Sequence, residues 1–188
     1  MSPVYQRLAP GKSDVVLDIG CGTGDALRYL RDFGRYVGAD IDDVAIQFAR
    51  RRFGHRERVE FECKLFTEED MQAVSPSHVV MAGLLHHLSD EEAQRLLGMV
   101  LRSPHLRRVV TQDIVFLPRA PVNNLFARLD RGRYCRRQEA YEQLVRTAGF
   151  ELVESAVISS HPKKGRVRYL VMTLEPMSGR SRDIASQH

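Results

Sequence analysis

The chain has no tryptophan and only three cysteines, Cys21, Cys63 and Cys135, scattered along its length. Such spacing fits neither a zinc ligand set nor a disulfide framework, so no metal is expected and a reducing compartment, the cytoplasm, is. No apolar run approaches the ~20 residues of a membrane span. The opening MSPVYQRLAPGKSD lacks the apolar core of a secretory signal. Lysine is scarce too: Lys12, Lys64, Lys163 and Lys164 stand against a large majority of arginines. A net charge of +4 could invite an anionic partner. However, the basic clusters at 50–52, 107–108, 131–137 and 163–168 are dispersed, with no aromatic stripe for stacking bases, which argues against nucleic acid.

What is present is ordinary for a folded domain: 188 residues, 43% hydrophobic and 28% charged. That size suits one domain with a core large enough to need no staple. The domain is expected over 1–175, and the tail 176–188, which lacks apolar periodicity, is expected to be disordered. Short β-rich runs alternate with amphipathic stretches, the pattern of an α/β fold with a mostly parallel sheet. Strands are predicted at 15–18, 36–39, 59–66, 78–85 and 108–115, with helices at 25–33 and 43–53. Ser89 to Glu92 reads as a capping box, followed by the apolar face Ala93, Leu96, Leu97, Val100 and Leu101. After a longer insertion over 117–137, with a short helix at 124–129, a helix at 138–148 leads to two strands, 151–159 and 166–174. A polar HPKKG turn joins them as an antiparallel pair.

The strongest local signal is VVLDIGCGTGD, residues 15–25, where a strand runs into a glycine-rich turn and then a helix start. Gly20, Gly22 and Gly24 permit close approach of a ligand to the backbone. The third glycine of the dinucleotide fingerprint is replaced by Asp25, which would face a pyrophosphate, so NAD and FAD are disfavoured. No Gly-Lys-Ser/Thr follows, which excludes a P-loop. Asp18 ends the first strand, and Asp40 closes the second, the place from which a carboxylate bridges ribose hydroxyls. A nucleoside without phosphates fits these features.

The segment 15–25 resembles motif I of the class I S-adenosylmethionine (SAM)-dependent methyltransferases. YVGADID at 36–42 is similar to their second motif, and VVMAGLLHHLSDEEA at 79–93 to their fourth strand and its loop. The resemblance implies a doubly wound, Rossmann-like sheet of seven mostly parallel strands, the last antiparallel. It also implies SAM as cofactor, S-adenosylhomocysteine as product, and a small bacterial methyltransferase-domain enzyme of a biosynthetic kind. Asp18, Gly20, Cys21, Gly22, Gly24, Ala82 and Gly83 would surround the methionine part. Asp40 would hold the ribose and Ile41 would lie on the adenine. Two departures stand out. Glu62-Cys63-Lys64-Leu65-Phe66 replaces the family's Gly-Asp, leaving Glu68, Glu69 or a backbone carbonyl for the adenine amino group. The N-terminal cap is short, so a homodimer or a partner subunit is expected over the cofactor site.

On the acceptor side, His86 could take a proton from an acceptor hydroxyl or simply fix its loop; the same choice holds for His87. Asp113 either faces the acceptor or caps the following loop. Arg131, Arg133 and Tyr134 could orient an anionic or polyhydroxyl acceptor, or form a solvated glycine turn. The resulting expectation is O-methylation of a small-molecule or saccharide-like metabolite. The alternatives are a SAM-binding scaffold that activates a partner enzyme and, resting on charge alone, an RNA methyltransferase.

Overall fold

A computed structural model describes residues 3–130, 132–159 and 167–177. A short helix α1 (Pro3–Leu8) precedes β1 (Val15–Ile19), β2 (Arg35–Asp40), α2 (Asp43–Phe53), β3 (Val59–Cys63), α3 (Glu68–Val74), β4 (His78–Ala82) and α4 (Asp90–Leu101). Then follow β5 (Arg108–Phe116), α5 (Pro121–Leu129), the two-residue β6 (Arg136–Arg137), α6 (Gln138–Thr147), β7 (Phe150–Ser159) and β8 (Arg168–Pro176). Among the described residues the main sheet has the order β3-β2-β1-β4-β5-β8-β7, and β6 pairs with the end of β5. The first five strands are parallel, while β8 runs antiparallel to both its neighbours. This is the expected doubly wound architecture.

The side-chain period of two along each strand divides the core into two layers. Leu17, Ile19, Val37, Val79, Met81 and Val109 meet the face covered by α3, α4 and α6. Val16, Tyr36, Val80 and Val110 meet the opposite face, covered by α1, residues 26–30 and α2. Asp18 shares the second face, where its carboxylate accepts from the Tyr36 hydroxyl at 2.7 Å. Burial, opposed in part by that hydrogen bond, raises the Asp18 carboxyl from 3.8 to about 7, and the charge on Asp40 adds to the rise.

Several elements differ from their sequence-based outline. The helix expected at 25–33 is only a four-residue 3-10 turn, Asp25–Arg28. It starts at a left-handed Gly24 with no side-chain cap, and Ala26, Leu27 and Leu30 are buried by that tight turn without a further helical one. The fourth strand stops at Ala82 because Gly83 takes φ +79°, a left-handed conformation that cannot continue a strand. The third stops at Cys63, and α3 follows. Its capping box was legible in Thr67-Glu68-Glu69-Asp70: the Asp70 amide donates to Thr67 Oγ1 at 3.3 Å, and the Thr67 amide to Asp70 Oδ2 at 2.9 Å. The box at Ser89 and Glu92 forms as expected. The HPKKG turn and the tail from 178 onward lie outside the described residues, and no helix among the described residues is long and apolar enough to cross a membrane.

Two stability tests follow from these contacts. Thr67→Ala should cost about 1 kcal/mol in urea unfolding, with Thr67→Ser near the parent, since the cap satisfies otherwise unpaired amides. Because the fold raises Asp18 above its unfolded pKa, its stabilising contribution is complete below about pH 4 and is lost as pH rises through about 7. Asp18→Asn cannot ionise, so it should gain on the parent as pH climbs across that window. A stability difference that is flat or shrinking with pH would contradict the shift.

Candidate active site

Residues after β1 turn sharply over the end of β2. The amides of Gly20 and Cys21 both donate to the Ala39 carbonyl, at 2.8 and 3.1 Å, and Gly24 closes the turn onto the Cys21 carbonyl at 2.9 Å. Asp40, at the end of β2, is fixed by two backbone donors. Gly22 donates to its Oδ2 at 2.8 Å and Asp42 to its Oδ1 at 2.9 Å. The carboxylate is thereby oriented at the strand end with lone-pair directions still available to further donors. A Cβ built on Gly22 would meet nothing within 4 Å, so open space lies over the turn. Cys21 is buried beneath it, its thiol pushed well above the usual range by burial and by Asp18 and Asp40, which leaves it inert as a nucleophile.

Ile41 stands 74% exposed just past Asp40, and Leu65 78% exposed just past the end of the neighbouring strand β3. Two bare apolar side chains at adjacent strand ends form walls suited to a flat aromatic ring. Of the residues considered for its amino group, Glu68 is held in an ion pair with Arg102 and Glu69 is exposed; beside them Lys64 bridges Glu62 and Asp70 at 2.5 and 2.6 Å. Leu84 reaches back over the glycine turn, 3.4 Å from the position of a Gly20 Cβ. This contact joins the β1 and β4 loops at the point where the strand order reverses, the crevice in which open α/β sheets bind ligands. An acidic strand end, open space over Gly22 and an apolar slot fit the nucleoside end of SAM, and the nearby cations Lys64, Arg28 and Arg52 are paired with Glu62, Asp70 and Asp25.

The other half of the site is built on Asp113, wholly buried near the end of β5. Its Oδ1 accepts from the His86 amide at 3.1 Å and lies 2.8 Å from His86 Nδ1. Burial raises the Asp113 carboxyl, opposed by His86. The His86 ring is 5% exposed, and its Nε2 lies 3.2 Å from Asp130 Oδ1. Both ring nitrogens therefore face carboxylates, which suits fixing the loop better than accepting an acceptor's proton. His87 is exposed; partial burial and the His86 ring, 4.2 Å away between centroids, lower its pKa, so it is neutral near pH 7.

The insertion between β5 and α6 is tied down at both ends. Asn123 donates to the Val115 carbonyl at 2.7 Å, and Asn124 exchanges hydrogen bonds with Leu117 at 2.9 Å in each direction. Farther on, the Tyr134 amide donates to the His86 carbonyl at 2.9 Å. Arg136, buried, donates to the carbonyls of Leu85, Leu88 and Tyr134 and to the Asp90 carboxylate, all within 2.6–2.9 Å. A cavity of about 650 Å³ opens where the insertion leaves β5, with Arg119, Arg128 and Arg137 around it.

The structure thus brings His86, His87 and Asp113 together with the exposed Arg133 and Tyr134, and sets Gly20, Gly22, Gly24, Asp40, Ile41, Ala82 and Gly83 at the neighbouring ends of β1, β2 and β4, while Asp18 and Cys21 are buried beneath them. Arg131 lies outside the described residues. Asp130 and Arg136 were missed. Asp130 lies far from His86 in sequence, and Arg136 looked like one more arginine in a basic run; their only cue was the gap between the fifth strand and its helix. The expectation that no metal-ligating cluster exists also changes, since ligand atoms of His86, His87 and Asp130 lie within 4.8 Å of one another.

Comparison with known proteins agrees with this layout. Residues 16–104 match the family described as the methyltransferase domain. The chain superposes on a Methanosarcina mazei SAM-dependent methyltransferase with a TM-score of 0.71 at 17% identity, covering 94% of this chain and 98% of that one. A chain of the Haloferax volcanii complex between the Trm112 methyltransferase activator and a methyltransferase gives 0.75 at 18% identity, covering 92% and 86%. Synechocystis magnesium protoporphyrin IX methyltransferase with bound S-adenosylhomocysteine gives 0.65 at 16%, covering 89% and 75%. In sequence, 56 residues are 38% identical to the Candida glabrata mRNA cap guanine-N(7) methyltransferase; they are 29% of this chain and 13% of the relative's length. Residues 16–104 thus match a methyltransferase domain, and the glycine turn, acidic strand end and strand order are those of the SAM-dependent methyltransferase fold, which supports an enzyme with SAM as cofactor.

Proposed function

We propose that this chain transfers the methyl group of SAM to an oxygen of a small-molecule or saccharide-like acceptor. What supports the reading is the convergence at neighbouring strand ends of Asp40 held by Gly22, of Leu84 over Gly20, and of the His86–His87–Asp130 group. Asp40 would accept from the ribose hydroxyls, Ile41 would lie on the adenine, and the turn from Gly20 to Gly24 with Ala82 and Gly83 would take the methionine end. SAM bound there supplies an electrophilic sulfonium methyl, so positioning of the acceptor does most of the work.

The acceptor mouth is formed by residues 84–88 and by the insertion docked on them through Tyr134 and Arg136. The buried His86 and Asp113 act as positioning residues, holding the loop and Asp130 in place. If the nucleophile must lose a proton, the exposed members of the group, His87 and Asp130, are the ones within reach of solvent and acceptor. Arg133 and the arginines around the adjoining cavity would take an anionic part of the acceptor. A second reading, a partner subunit over the cofactor crevice, is favoured by the exposed apolar Ile41, Val44, Phe48 and Leu65, and by the fold's likeness to a chain found with an activator.

Calorimetry should show SAM binding and no tight NAD binding. Asp40→Ala should weaken SAM by about 10–100-fold, the loss of about 1.5–3 kcal/mol of hydrogen bonding to a charged group; unchanged SAM affinity would sink the assignment. Release of S-adenosylhomocysteine across a panel of hydroxylated and carboxylated acceptors tests the acceptor class. With an acceptor that turns over, His87→Ala should lower the rate by about 10²-fold or more with SAM binding intact. Light scattering with and without SAM tests the partner reading: a monomer with submicromolar SAM affinity would contradict it.

A further inference from the structure

The surroundings of His86 leave a charge to be accounted for. Asp113 Oδ1 already accepts the His86 amide, so the ring Nδ1 beside it at 2.8 Å is the donor of that contact. A neutral ring then turns the lone pair of Nε2 toward Asp130 Oδ1, 3.2 Å away, and two acceptors would stand in contact. A positive charge between them removes the conflict. The exposed His87 ring lies alongside, and its ligand atom comes within 4.8 Å of the other two.

We propose that His86, His87 and Asp130 form a binding site for a first-row divalent cation of the zinc type, open toward the acceptor mouth. Two imidazoles and one carboxylate are a donor set such cations accept, whereas magnesium and calcium favour oxygen alone. Metal–ligand bonds of about 2.0–2.1 Å set neighbouring donor atoms about 3.3 Å apart in a tetrahedral site. The His86–Asp130 separation of 3.2 Å already has that value. The exposed His87 closes the remaining gap by side-chain rotation.

The surroundings of the three donors are built rather than accidental. Asp113 holds His86 by Nδ1, the carboxylate–histidine support that orients a metal-binding imidazole and raises its basicity. The Gly132 amide donates to Asp130 Oδ1 at 2.9 Å and fixes the carboxylate. A Cβ at Gly132 would collide with His86 Cδ2, so glycine is what lets this segment lie across the ring. Three protein donors leave a coordination position on the side where His87 and Asp130 meet solvent, and an acceptor oxygen could take it. That role toward the acceptor rests on the methyl-transfer reading; the cation site itself does not.

Titration of chelator-treated protein with zinc chloride alone, in the absence of SAM, is the test. One zinc per chain is expected, with affinity at least tenfold weaker in both His87→Ala and Asp130→Asn. Asp113→Asn should weaken it about 10–100-fold, as loss of an outer-shell partner does. His105→Ala, at a remote exposed histidine, should leave it unchanged. His87 and Asp130 are exposed, so their variants keep the test valid even if the buried Asp113 variant fails to fold. No saturable binding, binding indifferent to both His87→Ala and Asp130→Asn, or a nuclear magnetic resonance signal for a proton on His86 Nε2 at stoichiometric zinc would overturn the site. SAM titration of the same preparations separates the two ideas: SAM binding without zinc binding ends the cation site alone, and zinc binding without SAM binding ends the methyl-transfer reading alone.

Discussion

Asp113, buried in β5 just past its last pairing with β4, grips both the amide and the ring of His86, and the packing of the β4 loop and the insertion is organised from that contact. A buried carboxylate is costly unless it is hydrogen-bonded, so the loop after β4 is held where the His86 amide and ring meet Oδ1. His86 then presents its far side to Asp130 and its carbonyl to Tyr134, which draws the whole insertion onto the β4 loop. Arg136 completes the junction by collecting three carbonyls and Asp90, a use of one guanidinium that lysine could not copy. Removing either Asp113 or Arg136 would leave several buried polar groups without partners at once.

The cofactor side depends on a simpler device. Asp40 is oriented by two backbone amides, one of them from the glycine turn whose own amides are tied to β2. Strand end and turn are therefore tied together, and the Asp40 carboxylate is held in one orientation by the backbone. Leu84 couples this unit to the acceptor loop through apolar contact, so the two halves of the crevice share a wall although they belong to different βα units.

The local features of this arrangement were legible in the sequence and the long-range ones were not. The glycine turn, the position of Asp40 at the end of β2, α2 and the capping box at Ser89 follow from patterns within a few residues and form as read, whereas Asp18 lies buried in β1 against Tyr36. The end of β4 was misread because His78 to Leu85 looks like one apolar run, whereas the positive φ of Gly83 cuts it. The helix after the glycine turn is a single tight turn that already buries Ala26 and Leu27. Asp130 and Arg136 became visible only in three dimensions, because pairing of β6 with β5 brings a distant basic stretch beneath the β4 loop. Their neighbours Arg133 and Tyr134 were noticed for charge and aromaticity, but backbone contacts rather than side-chain type decide where that segment lies.

In the proposed function, the β1 turn and the β4 loop together hold the methyl donor against the acceptor mouth. A crystal structure with S-adenosylhomocysteine tests it most directly. The ribose hydroxyls should lie on Asp40, the adenine beside Ile41, and the sulfur should be directed along Leu84 toward His87 and Asp130. The nucleoside found in another cavity, or bound with its sulfur turned away from that mouth, would contradict it.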